Sequence, residues 1–209
     1  MKYLNFNKVL CLSPHPDDIE IGLGGSIIKY SDTQFDMLTL SGGGDFEGTG
    51  VDIREIELKS AWQEANVDNI SINVQPSLKP KNNTEDFLIN TIETSYLDDH
   101  QAIFVPTYID AHFEHRLTNR LAAALTRCKN ISIIEYRTPS TLNNWIPNMY
   151  VDITNEYKQK LSMLSKFSSQ QNKEYFKRDM LDAFHIDFQS SKKGNKYVEH
   201  LKIIQLYGI

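Results

Sequence analysis

The feature that most constrains this chain is an alternation. Apolar runs of strand length (Lys8 to Ser13, Phe35 to Leu40, Ile70 to Val74, Ala102 to Val105, Ile131 to Tyr136 and Met149 to Ile153) are separated by stretches with apolar residues at helical spacing. Ile53, Ile56, Ala61, Trp62 and Ala65 make one stripe, Phe87, Leu88 and Ile92 a second, and Leu117, Leu121, Ala124 and Leu125 a third. A strand that restarts in the same direction beside its predecessor has to cross over through such a helix, so the pattern implies β-α-β units. The expected fold is α/β and Rossmann-like, with a mostly parallel sheet and helices on both faces. Asn155 to Phe167 and Gln170 to Phe184 read as two polar amphipathic helices, and a final apolar Ile203 to Leu206 as a strand. No linker rich in Pro, Gly or Ser sets this part off, so residues 1–209 are expected to form a single domain with a helical C-terminal extension.

Charge narrows the partners. The 22 basic and 27 acidic side chains give a formal charge of −5, and no basic stripe appears, which argues against a nucleic-acid partner. The one dense basic patch, Lys192, Lys193 and Lys196, reads as a solvated loop. Cys11 and Cys128 lie among apolar neighbours, as buried free thiols do, and a reducing, cytoplasmic setting is expected. Neither the stretch Met1 to Lys8 nor any later one has the apolar length of a secretory leader or a bilayer span.

In an open parallel sheet, ligands bind at the carboxyl ends of strands, near the switch in strand order. Two post-strand loops are rich in chemistry. The first, Ser13-Pro14-His15-Pro16-Asp17-Asp18-Ile19-Glu20, stiffens the backbone around His15 with two prolines and sets two carboxylates side by side, one able to bind a metal with the imidazole while the other faces what the metal activates. Helix capping would account for one aspartate, not the whole string. Glu20 suits either support of a metal site or the positive end of the helix. In the second loop, Pro106 to Arg116, His112 and His115 lie three apart, with Asp110 and Glu114 beside them to orient imidazoles. The glycines of Gly22-Leu23-Gly24-Gly25 miss the dinucleotide-loop spacing and read as tight helix-on-sheet packing. His185 and His200 lack ligand spacing. Trp145 and Tyr150 suit either a sugar-stacking wall or the core.

Together these segments resemble the PIG-L/LmbE-like family of zinc-dependent N-deacetylases, which carries Pro-His-Pro-Asp-Asp-x-Glu and a later His-Pro-Asp-His. The first string is complete from Pro14 to Glu20. Ser41-Gly42-Gly43-Gly44 with Arg54 and Glu57 resembles the family's glycine-rich loop and Arg-x-x-Glu helix, while Pro147 to Thr154 and Tyr197-Val198-Glu199 resemble later segments. The resemblance implies that His15, Asp18 and His115 bind zinc, leaving a coordination position for water. It makes Asp17 the general base and His112, as an imidazolium, the oxyanion stabiliser, with Glu114 its orienting partner. The ligand set also suits Fe(II), Co(II) or Ni(II). The implied activity is removal of an N-acetyl group from a GlcNAc-type amino sugar or glycoconjugate, with release of acetate. Amide hydrolysis in thiol-cofactor biosynthesis or conjugate detoxification is the alternative within that chemistry, and a catalytically silent carbohydrate-binding homologue the alternative outside it.

The second string departs from the family pattern. Phe113 and Glu114 stand where Pro and Asp are usual, so the carboxylate gains a methylene of reach. Arg54 resembles the family's substrate-contacting arginine, suited to phosphate or carboxylate, although pairing with Glu57 along an exposed helix face explains it equally well.

Overall fold

The computed structural model describes residues 2–43, 50–127, 129–187 and 197–208. Cys128, Gly44 and the Lys192, Lys193 and Lys196 patch lie outside them. The elements run β1 (Lys8–Ser13), α1 (Asp18–Lys29), β2 (Gln34–Thr39), α2 (Val51–Ala65), β3 (Ile70–Val74), α3 (Glu85–Ser95), β4 (Ala102–Pro106), α4 (Phe113–Leu125), β5 (Ser132–Tyr136), β6 (Met149–Asp152), α5 (Tyr157–Leu164), α6 (Arg178–His185) and β7 (Val198–Gln205). They build a seven-stranded sheet ordered β3-β2-β1-β4-β5-β7-β6. Strands β1 to β5 are parallel, and β7 runs antiparallel to both β5 and β6.

Along β1 alternate side chains serve opposite faces. Val9 and Cys11 enter one core layer with α1, α2, α5 and α6, while Leu10 and Leu12 enter the other with α3 and α4. Burial on both sides is why the inner strands read as unbroken apolar runs. The chain steps outward from β1 to β2 and returns to β4 on the other side of β1, so the switch in strand order falls between β1 and β4. Both chemistry-bearing loops leave the carboxyl ends of these two strands.

Helix α1 passes close beneath the sheet's neighbours. A Cβ on Gly22 would stand 2.6 Å from Tyr136 Cδ2 and 2.8 Å from the Arg137 carbonyl, and one on Gly25 would stand 2.7 Å from Ile153 Cδ1. A buried ion pair braces the same helix: Lys160 Nζ donates to the Ile21 carbonyl at 2.6 Å and to Glu199 Oε1 at 2.6 Å, and Glu199 accepts from the Gly25 amide at 2.7 Å. The pair thus joins two backbone groups one helical turn apart.

Three expectations are corrected. In α2, Ile53 and Ile56 are 50% and 66% exposed, and Arg54 and Glu57 are buried in their place at 3% and 7%. The first turn of that helix faces a polar interior, so its apolar spacing does not mark the buried side. The expected helix Gln170 to Phe184 begins only at Arg178, after short 3-10 turns at Ser168–Gln170 and Glu174–Phe176 that turn Phe176 inward to meet the Phe167 ring at 6.0 Å. The last strand begins at Val198, well before Ile203.

Candidate metal centre

The loop after β1 is held in an unusual backbone shape. Asp17 has φ of +123°, a region that L residues with a side chain rarely occupy and that costs about 1–3 kcal/mol. Its amide donates to Glu20 Oε2 at 3.0 Å, and Trp62 Nε1 donates to Glu20 Oε1 at 2.6 Å, so Glu20 acts as a buried helix cap that clamps the strained residue. Asp18 then opens α1. Its Oδ2 accepts from the His15 amide at 3.0 Å and stands 3.2 Å from His15 Nδ1, while Oδ1 lies 3.4 Å from His115 Nε2.

The loop after β4 is organised by Asp110. This carboxylate accepts from the His112 amide at 2.7 Å and from the Thr138 and Ser140 hydroxyls at 2.6 Å each, and pairs with His115 Nδ1 at 3.1 Å. Holding Nδ1 leaves His115 Nε2 beside Asp18, the arrangement by which a carboxylate fixes the orientation of a ligand imidazole. The three imidazoles of His15, His112 and His115 offer ring nitrogens that all lie within 4.8 Å of one another, so the group could bind a metal ion. Of the three ligands expected from the sequence, His15 and His115 belong to this group, its third member is His112, and Asp18 stands beside both imidazoles at 3.2 and 3.4 Å.

Charge in the cluster is strongly interdependent. Burial acts against the His15 imidazolium, yet Asp18 and Glu114 raise its pKa to about 9, and Asp18 and Asp110 raise that of His115 to about 10 against the same penalty. Burial also opposes the Asp18 anion, but His115 and His15 hold it well below the usual carboxylate range. Asp17 moves the other way, because burial outweighs the pull of Arg54.

Glu114 does not do what its place beside His112 suggested. Its Oε2 pairs with His15 Nε2 at 2.8 Å, and only its backbone amide meets His112, donating to Nδ1 at 3.2 Å. His112 caps α4 through that bond, so its Nδ1 is an acceptor and the neutral ring carries its proton on Nε2. Burial, then the neighbouring His15 and His115, lower the His112 pKa. The extra methylene of glutamate carries the carboxylate past His112 to His15.

These groups line a cavity of about 770 Å³, whose lining also includes Lys79, Gln170, Tyr175 and Met180. Arg54 borders it as well, with Nη2 on Asp17 Oδ2 at 3.0 Å and on the Pro16 carbonyl. Trp145 and Tyr150 are not among its lining residues. Trp145 is buried with Nε1 on Glu135 Oε2 at 3.1 Å, and Tyr150 is 52% exposed on β6. His185 is a core residue bonded to Lys160, as its lack of ligand spacing suggested.

Residues 10–126, more than half of the chain, match the family model described as GlcNAc-PI de-N-acetylase, PIG-L. The chain belongs to the PIG-L family. A diacetylchitobiose deacetylase of Thermococcus kodakarensis is 58% identical over 33 residues, a match that spans 16% of this chain and 12% of that protein. The N,N'-diacetylchitobiose deacetylase of Pyrococcus horikoshii superposes with a TM-score of 0.70 at 24% identity, covering 96% of this chain and 85% of that one. A 4-carboxy-2-hydroxymuconate hydratase from Pseudomonas putida superposes at 0.73 with 15% identity, covering 100% and 98%. These superpositions establish a shared fold, and the hydratase among them means that the fold alone does not name the reaction.

Beyond the stretch matched by the family model, Thr138 and Ser140 join the site although no sequence motif marks them. They follow β5 at the same carboxyl edge, and their position after a parallel strand was the available signal. The short stretch Thr138-Pro139-Ser140 carries no motif of its own.

Proposed function

We propose that this chain is a zinc-dependent hydrolase that removes the N-acetyl group from a GlcNAc-type amino sugar or glycoconjugate. The observation that carries the reading is the convergence of His15, Asp18 and His115 with the Asp17 carboxylate on one cavity. The donor set fits a zinc ion: two buried imidazoles oriented by carboxylates, with a third carboxylate between them. Asp18 completes the set better than His112, because its two oxygens touch both other ligands and supply negative charge. When bound, the metal supplies Lewis-acid polarisation of the amide carbonyl and acidifies water.

The protein's own residues do the rest. Asp17, its pKa raised by burial, takes a proton from the attacking water as the water oxygen bonds to the carbonyl carbon. His112 presents its Nε2 proton to the carbonyl oxygen, where negative charge builds. Asp17 then returns its proton to the departing nitrogen, the C–N bond breaks, and acetate and a free amine leave. Phe113 at the mouth and the wall of Gln170 and Tyr175 suit a sugar-sized ligand. The buried thiol of Cys11 supports a reducing, cytoplasmic setting.

The test is acetate release by the zinc-loaded protein across N-acetylated sugars, nucleotide sugars and GlcNAc-malate, in parallel with Asp17→Asn. The parent is expected to deacetylate at least one of them, and Asp17→Asn to keep its zinc while losing about 10²–10⁴-fold in kcat. No acetate from any substrate, or an unimpaired Asp17→Asn, overturns the reading.

A further inference from the structure

Arg54 is buried on a helix turn whose apolar neighbours face solvent, an inversion that needs a reason. Its Nη2 donates to the Pro16 carbonyl and to Asp17 Oδ2, while Nη1 lies 3.3 Å from Ser169 Oγ and 3.8 Å from Glu57 Oε2. The Phe167 ring lies 5.8 Å from the guanidinium carbon. Of its nitrogens only Nε lacks a partner, and it is buried, with Gly43 near enough that a Cβ there would stand 3.5 Å away. Both terminal nitrogens are thus engaged by the protein, and two carboxylates already flank one cation. A phosphate or carboxylate of a substrate would find no open fork and a local excess of negative charge. Glu57 is itself fixed from the C-terminal extension, because Ser169 donates to Oε1 through its amide and to Oε2 through its hydroxyl, each at 2.7 Å.

We propose that Arg54 is a positioning residue for Asp17 instead of a substrate clamp, and that Ser169 and Glu57 anchor it, so that the C-terminal extension fixes the carboxylate of the base. The proposal rests on the reading of Asp17 as base given above. It explains how Asp17 is kept at φ +123°: the clamp on Pro16 and Asp17 holds a backbone that would otherwise relax.

The experiment uses the full zinc-loaded chain and compares the parent, Arg54→Met and Ser169→Ala for kcat and KM on the acetylated sugar that the parent turns over, with zinc content and a crystal structure of Arg54→Met. Misplacing a base by an ångström is expected to lower kcat by about 10²-fold in Arg54→Met, with KM and zinc content held and activity partly restored by added methylguanidinium. Ser169→Ala should lose roughly 3- to 10-fold in kcat alone, the worth of one hydrogen bond. A raised KM with kcat intact would make Arg54 a substrate clamp and overturn the proposal, as would parental kcat in both variants. If Arg54→Met does not fold, Ser169→Ala decides by the same split. The crystal structure reads the proposal even if the parent hydrolyses nothing, a result that sinks the deacetylase reading alone: a displaced Asp17 carboxylate supports positioning, and an unmoved one refutes it.

Discussion

The contact between Glu114 and His15 ties together two loops 99 positions apart, and it can be tested without turnover. Glu114 Oε2 lies 2.8 Å from His15 Nε2, and both side chains are largely buried, at 8% and 16% exposure. A carboxylate there fixes the ring and raises its basicity as a ligand through Nδ1, which faces Asp18. Glu114→Gln keeps the shape and removes the charge, and loss of such a partner typically weakens metal binding by about 10–100-fold, or roughly 1.4–2.7 kcal/mol. Glu114→Asp keeps the charge but withdraws the carboxylate by roughly 1.5 Å, beyond hydrogen-bond reach of Nε2. Both variants should therefore bind zinc more weakly, and by similar factors, in competition titrations against a chromophoric chelator at pH 7.5. If Glu114→Gln holds zinc as tightly as the parent, the carboxylate does not tune His15, and Asp18 alone must orient it. If Asp restores parental affinity, charge matters and reach does not.

Two further outcomes concern stability. Lys160→Met leaves Glu199 buried without its cation, which should cost about 3–5 kcal/mol and lower Tm by roughly 6–20 °C in calorimetry, with part of the loss recovered in Lys160→Met/Glu199→Gln; an unchanged Tm would mean that the pair contributes nothing. His200 is pushed down to about 4 by burial and then by Arg137, whereas in the unfolded chain it takes a proton near 6.5, so the unfolded state binds more protons and stability falls as pH drops through that window. Between pH 7 and pH 5 the metal-free parent should lose about 2 kcal/mol more than His200→Gln, and equal losses in urea melts of the two would refute this.

The strands were legible because the inner ones are covered on both faces, which leaves little room for polar residues in β1, β4 and β5. The two loops were legible because metal-binding residue types stand at adjacent positions after predicted strands. The α2 stripe misleads for a related reason: periodicity locates apolar residues, and here the inward face holds Arg54 and Glu57, whose burial makes sense only with Asp17 and Ser169 beside them. Chain proximity pairs Glu114 with His112, while its partner His15 stands 99 positions away. Nor could local amphipathicity show that Phe176 interrupts a helix to pack on Phe167.

The family match ends at residue 126, yet the site does not. Asp110 orients His115 with the help of Thr138 and Ser140, Glu57 is held by Ser169, and α1 is braced by Lys160 and Glu199. Without those later residues Asp110 would keep only the His112 amide and His115 among these partners, and its carboxylate would be free to rotate away from Nδ1. The same later segment supplies Gln170, Tyr175 and Met180 to the cavity wall. On the proposed function, the loops at the switch point carry the reacting groups, and the chain after residue 126 both holds them and lines the cavity they face. Chains that share this sheet can then differ in substrate, and even in reaction, through changes confined to the extension and to the residues it touches.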